Sequence, residues 1–476
     1  LYPWIIFALA GVAQFMVVLD SAVVNVALAS IQRSLHFSQA DLPWVLNIYV
    51  LMFGGFLLLG GRAGDLFGRR RLFMAGLVLF SLASLAGGLA QNAGWLVIAR
   101  GVQGLGAAII SPISLAIVSD TFAEGAERNR ALGIFGAITG VGAACGVLLG
   151  GVLTSSFGWP WVFFVNVPVG IAAAAISPLF IPESRPSGES RGFDLAGAVS
   201  VTAALLLLVY GIVKAPDNGW VSAQTLGYLG GTAALLAGFV MIELRSSAPL
   251  VRLGIFRLES QRVTNIAALI TGAGMLAMFY FISLYLQLVL HYSALRTGLA
   301  YLPMALWLVL SAGIAGTLVT RLGYRSVLTA GLAVTAAGLA ILIRVPVDGI
   351  YPLDILPASL IMSTGLGLTL VPLTIAAVQG VEQSETGLAS GLMNTSLQIG
   401  GALGLAVLST IATTRFNDLI KSSRGPNAFP SALVGGYHYA FIAGAILLAL
   451  GAVLVFALLP NPGAATAEVE EESFVA

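Results

Sequence analysis

The chain has 476 residues, of which 58% are hydrophobic and only 9% charged, and its formal net charge is +1. Soluble domains carry roughly 25% charged residues, so a soluble packing of this length cannot hide so much apolar surface. A near-neutral chain also offers no bulk field to attract nucleic acid, which leaves a polytopic membrane protein.

About 20 apolar residues cross a bilayer as a helix. Such segments fall at roughly 4–29, 43–61, 72–91, 94–118, 130–155, 161–181, 193–213, 225–243, 263–290, 297–319, 325–344, 353–377, 386–413 and 436–459, by that length criterion. They are too long and too evenly apolar for barrel strands, which alternate over about ten residues. The expected fold is therefore all-α with fourteen transmembrane helices. Ala27 to Ala29 spell a signal-peptidase-like "ALA". The segment before it is longer than a signal h-region, lacks a basic flank and carries Asp20, so a retained helix is expected.

The stretch "PESRPSGESRGFD" from Pro182 to Asp194 closes the first six segments, and Arg245 to Arg262 closes the next two. This spacing predicts an N-terminal six-helix bundle at 1–182, two inserted central helices with cytoplasmic linkers at 183–262, and a C-terminal six-helix bundle at 263–460. The acidic end, 461–476, reads as a disordered tail. With the N-terminus inside, the inner loops hold about twice as many Lys and Arg as the outer ones, which places both termini in the cytoplasm.

Other chemistry lacks its residues. Cys145 is the single cysteine, and His36, His291 and His438 form no ligand spacing, so no metal or cofactor is expected. There is no GxxxxGK[ST] loop for ATP. "GLGAAIISPIS" follows no strand, so its glycines are helix-packing residues, and no enzyme is expected.

Two charges lie well within the first six segments: Asp20 and Arg100. Each costs about 2.5–3.5 kcal/mol at a helix centre on an insertion scale. Asp20 lies about 14 Å before the outer end of its segment and Arg100 about 9 Å after the outer start of its own, at 1.5 Å per residue. Their depths agree within about one helical turn, so the two can pair or share a wet cavity. Two readings stand: a static ion pair that fixes packing, or a protonatable carboxylate tuned by Arg100. A partner charge and burial act on such a carboxylate in opposite senses.

"GGRAGDLFGRRRLF", from Gly60 to Phe73, separates the second and third segments. Gly61 and Gly68 are expected to make a tight turn there, and the arginines to anchor it at the cytoplasmic surface. In the fifth segment Gly142, Gly146 and Gly150 stand four apart, which lets two helix backbones approach closely.

The pattern Gly61-x-x-x-Asp65-x-x-Gly68-Arg69-Arg70 resembles the loop signature of the major facilitator superfamily, although Leu66 replaces the usual basic residue. "LDSAVVNVALASI", through Leu19, Asp20, Val24, Asn25, Ala27 and Leu28, is similar to the helix 1 signature of that family's fourteen-helix drug:proton antiporter branch; Ala29 replaces the usual Pro. "LVIARGVQGLGAA" resembles the branch's helix 4 signature through Arg100, Gln103, Gly104 and Gly106. "LYLQLVLHYSALRTGLAYLP" and "GLASGLMNTSLQIGGALGLAVL" extend the match into the second half, and it spans roughly residues 10 to 410. The resemblance implies two six-helix bundles that rock about a central site. It assigns proton movement to Arg100 beside Asp20, and steadying of one conformation to the loop Gly61, Asp65, Gly68, Arg69 and Arg70. Gly146, Gly150 and Gly151 match the family's antiporter signature, with Val147 in place of its Pro.

Polar or amphipathic residues within segments are candidates for a substrate cavity: Asn25, Asn47, Tyr49, Gln103, Tyr280, Gln287, Asn394 and Gln398. For most of them interhelical hydrogen bonding or core packing is the more frequent role of such residues. The expected protein is a monomeric proton-coupled exporter of amphipathic organic compounds, in contact with membrane lipids and, by the resemblance, placed in a bacterial inner membrane. The alternatives are a lipid or lipid-linked translocase on the same fold and a non-transporting membrane sensor.

Overall fold

The computed structural model describes residues 2–122, 126–183, 194–246, 249–381, 385–422, 425 and 427–460. The tail 461–476 and most of the linker at 182–194 lie outside the described residues. Among the described residues fourteen helices are long and apolar enough to cross a membrane, and no strand occurs. They are α1 (Tyr2–Leu35), α2 (Trp44–Phe67), α3 (Arg69–Gly88), α4 (Ala93–Thr121), α5 (Arg130–Ser156), α6 (Trp161–Phe180), α7 (Leu195–Asn218), α8 (Ala223–Arg245), α9 (Glu259–Val289), α10 (Ala294–Leu322), α11 (Tyr324–Leu342), α12 (Tyr351–Val378), α13 (Thr386–Ser422) and α14 (Ala428–Leu458).

Several helices outrun their apolar stretches. α1 continues to Leu35 through Gln32 and Arg33, and α13 to Ser422 through Asp418 and Lys421. Hydropathy marks the lipid-facing length, whereas backbone hydrogen bonding continues past it wherever polar side chains are solvated. Between α2 and α3 the expected turn shrinks to one residue. Gly68 alone leaves the helix, at φ +97°, and its N–H donates to the Gly64 carbonyl at 3.1 Å. A side chain there would be strained. Gly61 is not in the turn; it lies inside α2.

The chain divides into two compact units. The first comprises Leu1–Leu250, Phe279–Leu302 and Leu405–Thr413. In it α2 and α3 both pack on α4, α1 packs on α4, α5 and α6, α3 packs on α6, and α7 pairs with α8 and lies along α2. Missing side chains make these approaches possible. Pro112 has no N–H to give the Ala108 carbonyl four residues earlier. Gly60 lies against that carbonyl, where a Cβ would collide, while Gly61 faces Pro112 and Gly64 faces Ile113. This is the role the fold gives Gly61: a seat for α4.

The second unit comprises Val251–Met278, Pro303–Gly404 and Thr414–Ala476. α11 packs on α12 and on α14. Gly331, Gly338 and Gly365 close the α11–α12 seam, and Gly272, Gly400 and Gly404 close the seam between α9 and α13. Among the described residues no cluster of His, Cys, Asp or Glu could hold a metal ion. His36 and His291 sit in turns at φ +55° and +53°. His438 lies within α14, with Nε2 at 2.8 Å from the Val345 carbonyl. Cys145 is a free thiol.

Candidate functional site

Four glycines assemble a buried site in the first unit, three of them about one turn from a polar residue of their own helix and the fourth, Gly146, seating α1 beside Asp20. Gly104 of α4 lies against the Tyr49 carbonyl of α2, and Gly106 lies on Phe80 of α3. Gly170 of α6 packs on Ser81, Met16 and Leu77, between α3 and α1. Gly146 of α5 seats α1 at Leu19 and Ala22, each 2.8 Å from where its Cβ would be. These contacts draw Asp20 (α1), Ser84 (α3), Arg100 and Gln103 (α4) and Asn166 (α6) to one point.

Arg100 Nη1 donates to Asp20 Oδ2 at 2.5 Å and to Gln103 Oε1 at 2.8 Å. Asp20 Oδ1 accepts from Gln103 Nε2 at 2.7 Å and from Asn166 Nδ2 at 2.8 Å. Both amide nitrogens also reach Ser84 Oγ, at 3.1 and 3.2 Å, and the Ser84 hydroxyl donates to the Phe163 carbonyl at 2.8 Å. Arg100 Nε donates to the Val45 carbonyl at 3.2 Å, and the guanidinium lies 4.1 Å from the Tyr49 ring centroid. Asp20, Ser84 and Arg100 are 0% exposed, and Gln103 and Asn166 1%. Two opposite charges with aligned hydrogen bonds and an aromatic face offset each other's loss of water. The result is a carboxylate closed off from solvent and held by donors from two helices besides its own.

Sequence reasoning paired Asp20 with Arg100, and the structure brings them together. It also places Gln103 and Tyr49, entered as cavity residues, in contact with Arg100. Ser84 and Asn166 were missed. Asn166 lies in "WPWVFFVNVPVG", where α6 is interrupted at Val165 between Trp161–Phe164 and Asn166–Phe180; an amide two residues before Pro168 was the available signal.

A second cluster of charges sits where α2 meets α3. Arg69 donates to Asp65 Oδ1 through Nε at 3.0 Å and Nη2 at 2.9 Å, and pairs with Asp120 at the end of α4. Arg70 and Arg71 lie 3.3 and 3.4 Å from Glu183 Oε2. Of the expected loop residues Asp65 and Arg69 are thus paired, Gly68 makes the turn and Arg70 pairs separately with Glu183; Asp120 and Glu183 are partners that the sequence did not single out.

The glycines of α5 form two seats. Gly142, Gly146 and Gly150 face Val18, Leu19 with Ala22, and Val23 of α1, whereas Gly151 faces Ala294 and Leu295 of α10. Beside that second seat, Ser283 Oγ donates to the Asn25 carbonyl at 2.7 Å, and Gln287 Nε2 donates to the Val26 carbonyl at 2.9 Å. Asn25 and Gln287 therefore join α1 to the end of α9. Asn47 and Tyr280 are buried, Gln398 is half-buried and Asn394 is exposed, donating to the Ser390 carbonyl at 3.0 Å.

Comparison with known proteins fixes what this architecture belongs to. Residues 10–405 match the family model described as Major Facilitator Superfamily. The chain belongs to the Major Facilitator Superfamily. This superfamily member is 37% identical over 456 residues to the puromycin resistance protein pur8 of Streptomyces alboniger, covering 94% of this chain and 90% of that one. It is 40% identical over 450 residues to the cephamycin export protein CmcT of Amycolatopsis lactamdurans, with the same coverage of 94% and 90%. A bacterial homologue of the human lysosomal transporter Spinster, solved inward-facing and unoccupied, aligns over 96% of both chains with a TM-score of 0.70 at 16% identity, and shows the shared fold. Fourteen spans and these relatives are consistent with the superfamily's fourteen-helix drug:proton antiporter branch.

Proposed function

We propose that this superfamily member is a proton-coupled exporter of amphipathic organic compounds, antibiotics and related natural products among them, working by alternating access. The observation that carries the proposal is the enclosed Asp20–Arg100 pair. An intramembrane carboxylate pays for its place only if it does something that a leucine would not. Held by donors and cut off from bulk water, Asp20 is a place where one proton changes the charge of the site. The names of pur8 and CmcT, resistance to puromycin and export of cephamycin, support the substrate class.

In this reading the bundles at 1–182 and 263–460 are the moving parts, both termini face the cytoplasm, and the membrane is a bacterial inner membrane. Asp65, Gly68, Arg69 and Arg70 steady one conformation at the α2–α3 junction, with Gly61 seating α4 behind them. Gly146, Gly150 and Gly151 keep α1 and α10 close on α5. Asn25, Gln287, Asn394 and Gln398 are the polar candidates for contact with substrate.

The test is transport into liposomes under an imposed pH gradient, with puromycin, a cephamycin and an amphipathic dye as cargo. Wild-type protein concentrates at least one of them when the gradient is present and not when it is collapsed. Asp20→Asn abolishes the gradient-driven part. Unchanged gradient-driven uptake by Asp20→Asn sinks the role given to Asp20.

A further inference from the structure

Every group that touches Asp20 is a donor. Arg100 Nη1 reaches Oδ2, and the amide nitrogens of Gln103 and Asn166 reach Oδ1. Such a shell fits a carboxylate, which only accepts; a carboxylic acid carries an O–H that needs an acceptor. In a site this buried, an unmatched O–H costs free energy comparable to a lost hydrogen bond. The shell must therefore change when Asp20 takes a proton, and the geometry limits which member can change.

Arg100 has no acceptor atom. Gln103 is fixed at both ends: its Oε1 accepts from Arg100, and its Nε2 donates to Asp20 and Ser84. Turning that amide would set its NH2 group against a guanidinium. Asn166 is fixed only through its nitrogen, to Asp20 and to Ser84. Turning it presents Oδ1 to the new O–H. Its lost bond to Ser84 is recovered if the Ser84 hydroxyl rotates from the Phe163 carbonyl to that same Oδ1. Phe163 stands just before Val165, where α6 is interrupted.

We propose that Asn166 is the positioning residue that registers the protonation of Asp20: its amide turns from donor to acceptor, Ser84 follows, and the Phe163 carbonyl is released at the interruption of α6. The proposal rests on the reading of Asp20 as the coupling carboxylate and adds the residue through which its charge acts on the helices. No covalent step is involved; one proton moves onto Asp20 and stays there until it leaves the site. The other charged or titratable groups at this point are Arg100 from α4 and Tyr49 from α2, whose ring lies under the guanidinium. α5 faces this part of α1 with Gly142, Gly146 and Gly150.

The test is infrared difference spectroscopy of the full chain in liposomes, acid minus alkaline, beside transport in the same vesicles. Wild type is expected to show a carboxyl band that is lost in Asp20→Asn, and with it a side-chain amide carbonyl band that is lost in both Asp20→Asn and Asn166→Ala. Gradient-driven uptake falls about tenfold in Asn166→Ala, as expected for about 1.4 kcal/mol lost from one step. Ser84→Ala keeps the amide band and loses about threefold in gradient-driven uptake, a fold-change below that decade. An amide band that persists in Asn166→Ala, or is missing from wild type while the carboxyl band is present, overturns the proposal and leaves the role of Asp20 intact. Absence of the carboxyl band, or full gradient-driven uptake by Asp20→Asn, overturns both.

Discussion

The first unit contains two Asp–Arg assemblies that are alike in chemistry and opposite in setting. At Asp20 and Arg100 both side chains are out of reach of solvent, at 0% and 1% exposure. At Asp65, Arg69 and Asp120 the carboxylates are more than half exposed, at 54% and 62%. Water supplies the difference. An exposed pair has a solvated alternative for each partner, and its net value is about 0–1 kcal/mol. A buried pair has none, so removing one partner leaves a charge stranded and costs about 3–5 kcal/mol. On the proposed reading, the enclosed assembly holds one arrangement until a proton alters it. The exposed one can form and part as helix ends move, which is what a conformational latch requires.

The largest effect should come from stranding the buried charge. Arg100→Met should lower stability by about 3–5 kcal/mol, read as a fall in thermal unfolding temperature in detergent. Adding Asp20→Leu should recover much of that loss, because no charge then remains unpaired. If Arg100→Met unfolds like wild type, the site is wetter than its geometry indicates and the contrast between the two assemblies fails.

The next effect tests the backbone approach that brings Asp20 into place. A Cβ at Gly150 would stand 2.8 Å from the Val23 carbonyl, whereas nothing lies within 4 Å of one at Gly136. Gly150→Val should therefore cost about 1–3 kcal/mol through overpacking and weaken gradient-driven uptake by displacing α1. Gly136→Ala, in the same helix, should be neutral or gain about 0.5–1 kcal/mol in helix propensity. Equal unfolding temperatures for the two variants would show that α5 does not hold α1 through its glycines.

The helices were legible because lipid leaves a chain only helices and closed barrels to satisfy its backbone, and twenty evenly apolar residues choose the helix. The Asp20–Arg100 pair was legible for a related reason: an isolated charge in an apolar helix is expensive, and two at matching depth point to one another. Ser84 and Asn166 were not legible, because a lone Ser or Asn is cheap in a helix and satisfies itself in many ways. What selects them is the register of α3 and α6, set by Gly106 on Phe80 and Gly170 on Ser81. Those are contacts between helices far apart in the chain. Gly61 was misplaced in a turn because a glycine that permits a turn and one that permits helix contact look the same in sequence.

At the exposed assembly the two readouts should separate. Arg69→Ala removes the pairs to Asp65 and Asp120, and the stability lost should stay within about 1 kcal/mol for each exposed pair. Gradient-driven uptake should nevertheless fall about tenfold if the pairs steady one conformation, since about 1.4 kcal/mol between two states is a tenfold shift in their ratio. High salt should reproduce part of the loss in wild type, because exposed charges are screened. A variant that loses stability in proportion to transport would make the cluster a structural anchor and nothing more.

The smallest effect is expected at Lys214 and Asp41, 3.0 Å apart and partly exposed at 27% and 41%. This pair ties the end of α7 to the turn before α2, but other contacts do the same work. Gly55 lets Thr202 come so close that a Cβ would collide with its hydroxyl, and the Trp44 and Tyr210 rings lie 6.3 Å apart. Losing the bridge leaves both contacts standing and both charges within reach of water. Lys214→Met should therefore change stability by no more than about 1 kcal/mol, with gradient-driven uptake near wild type. Gly55→Leu, which opens the seam itself, should cost more than the bridge through overpacking. Unfolding temperatures of the two variants rank the contributions directly. If Lys214→Met were the more damaging, charge would outweigh packing even where water reaches it, and burial could no longer explain why the Asp20 and Asp65 assemblies differ.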